Sequence, residues 1–375
     1  MSEAVPAGAG LSAKDLTRFA AAIFTAVGLR DDDAQTLARS LVEADETGVS
    51  THGLTRTTSY VGQLESGQVN PRPVERVLRE GPASVLFDAD SGFGAPVGVR
   101  AVDAAIDKAA RTGVAIAGVT RTAHFGAAAF YTRHAAERGF LALAMGSSSP
   151  SVVPFGGRGP RIGNSPLSFA SPGVQHPELV LDMAQSMSSR GRVKMALDAG
   201  ETLPPGWAVD GSGAPTTDPA AALSGGILAS GGHKGSALSL MVEMLASGLT
   251  GANLTRDITL SGFTGSANRT GRADTDVTVG NFYLVIDADV FGDASGVCAR
   301  ATAIAEYVRA SEPAPGVRRV YAPGDIEADK RGHSRQHGIV LREKTWRELR
   351  ELAARFGIPV PTAGTEKEDG NDVRD

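Results

Sequence analysis

His52 and Arg56 stand four residues apart in Gly48-Val49-Ser50-Thr51-His52-Gly53-Leu54-Thr55-Arg56. An imidazole moves a proton near neutral pH, and a guanidinium grips a carboxylate through two parallel hydrogen bonds. A second histidine, His124, lies in Thr122-Ala123-His124-Phe125-Gly126, a similar context of hydroxyl, small residue and glycine. Further on, Gly231-Gly232-His233-Lys234-Gly235-Ser236 offers glycine-flanked backbone and one ammonium. It lacks the Gly-Lys-Ser/Thr order of a Walker loop. Two readings stay open there: a contact to a phosphate or ribose, and a plain turn before a helix around Leu238. Each histidine alone is compatible with a polar turn after a helix. Together, the two imidazoles, the arginine and the later loop suit proton transfer coupled to a carboxylate-bearing substrate and a phosphate-bearing cofactor.

Other candidates are weaker. His333 and His337 have the spacing of a two-histidine metal face on a helix. No Glu, Cys or third His accompanies them at ligand spacing, and Arg331 and Arg335 flank them. A solvated helix face, and no metal site, is expected. Gly92-Phe93-Gly94-Ala95-Pro96-Val97-Gly98 follows a strand and opens a helix, but its third glycine falls one residue late for a dinucleotide fingerprint and Pro96 sits inside the turn. It reads as a strand-to-helix turn. Cys298, the single cysteine, reads as a small buried hydrophobe.

The elements that must position these groups follow from periodicity. Leu16, Phe19, Ala20, Ile23, Phe24 and Val27 recur at helical spacing, with Ser12 placed to cap the start and Gly28 the end. Leu37, Leu41 and Ala44 mark a second helix after three aspartates, and Tyr60, Val61 and Leu64 a third ended by Gly67. Pro71-Arg72-Pro73 marks a boundary. Beyond it strands (84–88, 114–119, 140–145, 179–182, 282–286) alternate with helices (96–112, 127–138, 299–310), the pattern of an α/β domain. A last helix spans Glu343 to Phe356.

The chain has 375 residues, more than one hydrophobic core usually spans, so two domains are expected. Its net charge of −5 supplies no attraction to nucleic acid or a membrane surface. No apolar stretch is long enough to span a bilayer. Met1 to Gly10 has neither a basic nor an apolar region of the signal-peptide kind. With one cysteine there is no intramolecular disulfide, which fits a reducing, cytoplasmic setting.

Several separate motifs carry a family resemblance: Gly48 to Arg56, His124-Phe125-Gly126, Val153 to Gly157, Ile162 to Pro166, Leu181 to Ser186, Gly232 to Gly235 and Pro323-Gly324-Asp325. From about residue 11 to 356 the chain resembles the malate/L-lactate dehydrogenase family, also called sulfolactate dehydrogenase-like. Its members include ureidoglycolate dehydrogenase, diketogulonate reductase and piperideine-2-carboxylate reductase. The resemblance implies a non-Rossmann α/β fold. It places a helical domain at 11–72 and 323–361, an α/β cofactor-binding domain at 73–322, and the cofactor, NAD or NADP, between them in a homodimer. Residues 362–375 are polar and expected to be disordered.

The resemblance also implies roles. His52 falls on the proton donor or acceptor, His124 on a second acid/base histidine, and Arg56 on the carboxylate clamp, with Thr51 beside it. Ser148, Asp182, Met183, Ala184, His233, Lys234, Gly324 and Asp325 fall on the cofactor site. Thr51 stands where a serine is usual and Asp325 where a glutamate is common. The expected reaction is hydride transfer between nicotinamide and a small 2-oxo or 2-hydroxy carboxylic acid, with a protonated imidazole and Arg56 polarising the carbonyl. A cyclic ketimine reductase is the alternative within the family, and a non-catalytic small-molecule-binding protein the alternative outside it.

Overall fold

A computed structural model describes residues 10–258 and 279–362. The chain runs α1 (Ala13–Ala26), α2 (Asp31–Glu46), two 3₁₀ turns (Ser50–His52 and Leu54–Arg56) and α3 (Thr57–Glu65). It continues through β1 (Arg76–Gly81), β2 (Ser84–Asp88), α4 (Gly94–Thr112), β3 (Val114–Thr122), α5 (Ala129–Ala136), β4 (Phe140–Gly146), β5 (Val152–Val153), β6 (Leu167–Ser171) and β7 (Glu178–Met183). Then follow α6 (Arg190–Ala199), β8 (Ala208–Val209), β9 (Pro215–Thr216), α7 (Pro219–Ser224), β10 (Gly226–Leu228) and α8 (His233–Glu243). Last come β11 (Val279–Asp287), α9 (Ala294–Arg309), α10 (Asp325–His337) and α11 (Glu343–Phe356). Two compact units result, one from Met1–Val61 with Glu327–Asp375 and one from Gly62–Ile326. The expected tail beyond Thr362 lies outside the described residues.

The terminal unit is helical because its apolar residues keep a 3.6-residue period. The Ser12 hydroxyl accepts from the Asp15 amide at 3.0 Å and starts α1, whose Leu16, Phe19, Ile23 and Phe24 are buried. Trp346, Leu349 and Leu352 bury the matching stripe of α11, and the Phe19 and Trp346 rings lie 6.0 Å apart. Each such side chain contributes about 1.5–3 kcal/mol when fully removed from water. Leu11 and Ile339 exchange both backbone hydrogen bonds, at 3.1 and 2.8 Å, which pins the two chain ends together. Arg331 of α10 reaches Glu43 and Glu46 of α2, at 2.9 and 3.1 Å.

The central unit holds a seven-stranded sheet in the order β1-β2-β3-β11-β4-β6-β7. Only β2 and β3, joined across α4, run parallel. The other pairs are antiparallel. Among the described strands of this sheet, the alternation of strands and helices gives one parallel crossover, and β11 arrives late in the chain and inserts between β3 and β4. A smaller sheet has the order β5-β10-β8-β9. The Gly92–Gly98 stretch turns a strand into α4. Its glycines serve packing: a Cβ on Gly98 would collide with the Tyr131 ring and the Tyr283 hydroxyl. Those tyrosines form an aromatic cluster with Phe125.

One expectation is corrected. Cys298 is half-buried, not buried. Only Ala301 and Ala305 of α9 are buried, and Cys298 lies a turn ahead of that narrow stripe, at its edge. Among the described residues no helix is long and apolar enough to cross a membrane.

Candidate active site

In the terminal unit, His52 and Arg56 come from two consecutive 3₁₀ turns that meet at Gly53. The turns are closed by His52 N–H to the Val49 carbonyl and Arg56 N–H to the Gly53 carbonyl, both at 2.9 Å. Arg56 Nε donates to the Thr51 carbonyl at 2.6 Å, so the guanidinium folds back along the turn that carries the imidazole. Thr51 Oγ1 lies 3.0 Å from His52 Nδ1. The hydroxyl expected beside the histidine therefore contacts its ring at Nδ1. Tyr60, one further turn along, is fully buried. Burial pushes its phenol up to about 12 while the Arg56 charge pulls it back.

Protonation here departs from expectation. Burial, and then the positive charge of Arg56, push the His52 imidazole down to about 4. At neutral pH the histidine is neutral, not the imidazolium anticipated from the sequence. Burial is the larger cause, and the clamp adds to it, since a cation close to an imidazole disfavours a second charge.

Sequence reasoning also missed Asp45. The Leu54 amide donates to its Oδ2 at 2.7 Å, and its carboxylate fills the space that a Cβ on Gly53 would need. Burial drives its pKa up to about 7, against the opposing pull of the Leu54 N–H and the Arg342 charge. A signal was present: Asp45 lies in the last turn of α2, where an acid opposes the helix dipole and so needs another reason to be there.

In the central unit four of the sequence motifs meet. The Gln185 amide donates to the Asn164 carbonyl at 2.7 Å, and the Ser230 amide donates to the Gln185 carbonyl at 3.0 Å. The Phe155 amide donates to Ser236 Oγ at 3.1 Å. Thus the loop after β5, the Gly163–Pro166 loop, the end of β7 and the start of α8 are stitched together through backbone and the Ser236 hydroxyl. Ser148 joins them, since a Cβ on Gly163 would meet its hydroxyl. Helix α8, which carries Leu238, begins at His233. Hence His233 and Lys234 sit exposed in its first turn, with Phe155 edge-on to the His233 ring at 5.7 Å.

His124 follows β3. Its carbonyl packs on Gly94, and Phe125 packs on Gly146 at the end of β4, just ahead of Ser147 and Ser148. Asp182 is exposed at the end of β7 and accepts from the Ala129 amide that begins α5, at 2.9 Å. Met183 and Ala184 follow it, half-buried. Gly324 packs against Val180 of β7. The neighbouring Asp325 carboxylate is engaged by Arg309 through Nε at 3.0 Å and by the Ala322 amide at 2.8 Å. Those hydrogen bonds, Arg309 foremost, hold its carboxyl below the usual range. Exposed His333 and His337 stack on each other on α10, 4.3 Å apart.

The stitched region fits a polar dinucleotide. Gln185 Nε2 is buried with no hydrogen-bond partner among the described residues. Such an orphan costs about 1–3 kcal/mol unless a ligand satisfies it. Gly231 and Gly232 both hold positive φ, 67° and 63°, and deliver the first amides of α8, a setting that favours anionic groups.

A family model described as malate/L-lactate dehydrogenase matches residues 11–350. L-sulfolactate dehydrogenase of Methanocaldococcus jannaschii is 32% identical, covering 89% of this chain and 93% of its own. Delta(1)-pyrroline-2-carboxylate/Delta(1)-piperideine-2-carboxylate reductase of Pseudomonas syringae pv. tomato is 37% identical, covering 88% and 92%. The solved structure of sulfolactate dehydrogenase from Methanocaldococcus jannaschii superposes with a TM-score of 0.85 at 29% identity, over 94% of this chain and 98% of that one.

Proposed function

The chain belongs to the malate/L-lactate dehydrogenase family and is an oxidoreductase of the dehydrogenase/reductase type; from that premise we propose that it moves a hydride between NAD or NADP and the carbon α to a carboxylate in a small 2-oxo or 2-hydroxy acid. The observation that carries this reading is the pairing of His52 and Arg56 on one doubled turn. Arg56 takes the substrate carboxylate. His52 exchanges a proton with the substrate oxygen, with Thr51 in contact with its ring at Nδ1. His124 is the second candidate for that proton. Ser148, Asp182, Met183, Ala184, His233, Lys234 and the loop at Gly324 and Asp325 hold the nicotinamide dinucleotide. The exposed Arg190 and Arg192 in the first turn of α6 offer positive charge for a 2′-phosphate. The working protein is a cytoplasmic homodimer.

The neutral state of His52 shapes the mechanism. In the direction of oxidation the ring is ready to accept the hydroxyl proton. In the direction of reduction it first needs a proton. A substrate carboxylate on Arg56 cancels the charge that disfavours it and raises the proton affinity of His52.

The same observation favours a second reading, a cyclic ketimine reductase. A protonated imine brings its own proton and asks nothing of a neutral histidine. The test is a panel of pyruvate, oxaloacetate and a cyclic imino acid with both cofactors, followed by nicotinamide absorbance. Turnover of the oxo acids, lowered about 10²–10⁴-fold by His52→Ala or by His124→Ala, supports the first reading and identifies the proton donor. Turnover of the imino acid alone, little changed in both variants, supports the second. No nicotinamide binding by calorimetry would sink both.

A further inference from the structure

We infer that Asp45 is a positioning residue for the proposed active site: it holds the Gly53–Leu54 peptide so that one turn presents both His52 and Arg56, and ionisation of this carboxylate sets how tightly the turn grips an acid substrate. The inference rests on the roles proposed above for His52 and Arg56. It stands on two independent pieces of geometry. Leu54 opens the second 3₁₀ turn, so its amide has no partner within that turn; Asp45, from a different element, supplies the acceptor at 2.7 Å. A Cβ at residue 53 would enter the Asp45 carboxylate and displace it, so glycine here keeps the acceptor in place. The contact therefore fixes the one peptide that links the two turns, and rotating that peptide would swing His52 and Arg56 apart.

The groups around Asp45 define what its charge does. Arg342, the residue that caps α11, is the cation whose field reaches it. On α2 itself, Glu43 and Glu46 are engaged by Arg331 of α10. Lys330 of α10 covers Gly48 at the entry to the turn. His52 and Arg56 lie on the turn that Asp45 holds. With a carboxyl titrating at about 7, Asp45 is protonated on the acid side of neutrality and ionised above it. The ionised carboxylate makes the stronger hydrogen bond to Leu54, but burial disfavours that charge by more, so the turn is held less firmly as pH rises. His52, at about 4, does not titrate in that range.

The experiment compares wild type, Asp45→Asn, Asp45→Ala and Arg56→Ala between pH 6 and about 8.5, using whichever of pyruvate and oxaloacetate turns over faster, with kcat and KM separated. For wild type, KM rises roughly fivefold as pH rises through neutrality. Asp45→Asn still accepts from Leu54 but cannot ionise, so its KM stays flat at the wild-type low-pH value, with kcat within about twofold. Asp45→Ala raises KM at every pH by about tenfold. A purely structural role would lower the melting temperature of Asp45→Asn and leave the pH dependence of KM intact; that result overturns the inference, and Asp45→Asn decides alone if the alanine variant does not fold. If Arg56→Ala raises KM while Asp45→Asn behaves as wild type, only the inference falls. If Arg56→Ala leaves KM unchanged, the reading of the turn falls and takes the inference with it.

Discussion

The turn at residues 50–56 and the stitched region around Gln185 use the chain in opposite ways. The turn and its flanking helices carry side chains that burial has altered: the His52 imidazole held neutral, the Asp45 carboxyl of α2 raised to about 7 and the Tyr60 phenol of α3 raised to about 12. Around Gln185 the contacts are mostly backbone amides and carbonyls, and His233 and Lys234 remain exposed. The contrast suits two tasks. Proton exchange needs groups whose charge is tuned, and tuning needs a dry setting. Holding a long polar ligand needs many fixed donors and acceptors, which backbone supplies without paying side-chain entropy.

If that contrast is right, damage to the turn should change chemistry, and damage to the stitched region should change cofactor binding. The largest effect is expected for Arg56→Leu, with kcat/KM for a 2-oxo acid reduced about 10³-fold, the size seen when one partner of a desolvated charge pair is removed. Calorimetry should show nucleotide affinity unchanged; a parallel loss of nucleotide affinity would break the comparison. Next is a pH effect. His52 accepts a proton only when neutral, and its pKa is lowered, so on the acid side of neutrality, where Asp45 is protonated, kcat/KM for oxidation should hold steady down to about pH 4 and fall below it. A limb near 6.5, the ordinary imidazole value, would assign the proton to a group in a wetter setting.

Gly235→Ala tests the other region. Its Cβ would collide with the Ser230 carbonyl, so nucleotide affinity should fall and stability drop by about 1–3 kcal/mol, while kcat at saturating nucleotide changes little. Nucleotide titration and thermal melts measure both. The smallest effect is expected for Ser12→Ala, which removes the α1 cap: about 1 kcal/mol of stability and no change in turnover.

The sequence made the helices of the terminal unit readable because their apolar stripes are long and periodic. It pointed to Ser12 as a cap, and α11 was visible from Glu343 to Phe356. Edge strand β1 was not readable: its residues are almost all exposed, and its register shifts between Val77 and Arg79. Two-residue strands such as β5 and β8 are too short to show any period. The insertion of β11 between β3 and β4 depends on pairings distant in sequence, which local patterns do not encode. At the candidate site, the spacing of His52 and Arg56 was legible as chemistry. Their protonation was not, because it depends on burial. Asp45 was missed for a similar reason, as its meaning comes from a hydrogen bond across to Leu54.

The altered groups beneath the turn have a consequence for folding itself. In the unfolded chain at about pH 5.5, an imidazole near 6.5 carries a proton and a carboxyl near 3.8 does not. In the folded chain the order is reversed, because His52 titrates near 4 and Asp45 near 7. Forming the structure therefore relocates one proton from base to acid with no net exchange with solvent, and an unfolded ion pair becomes two neutral groups. The sign of each part follows from linkage. The His52 shift makes the fold more stable as pH rises from about 4 to 6.5, and the Asp45 shift makes it less stable as pH rises from about 4 to 7. The two slopes cancel over most of that window. Replacing Asp45 by Asn should uncover the rising slope, and replacing His52 by Ala the falling one. Melting temperatures that stay flat in both variants would show that the proton does not move.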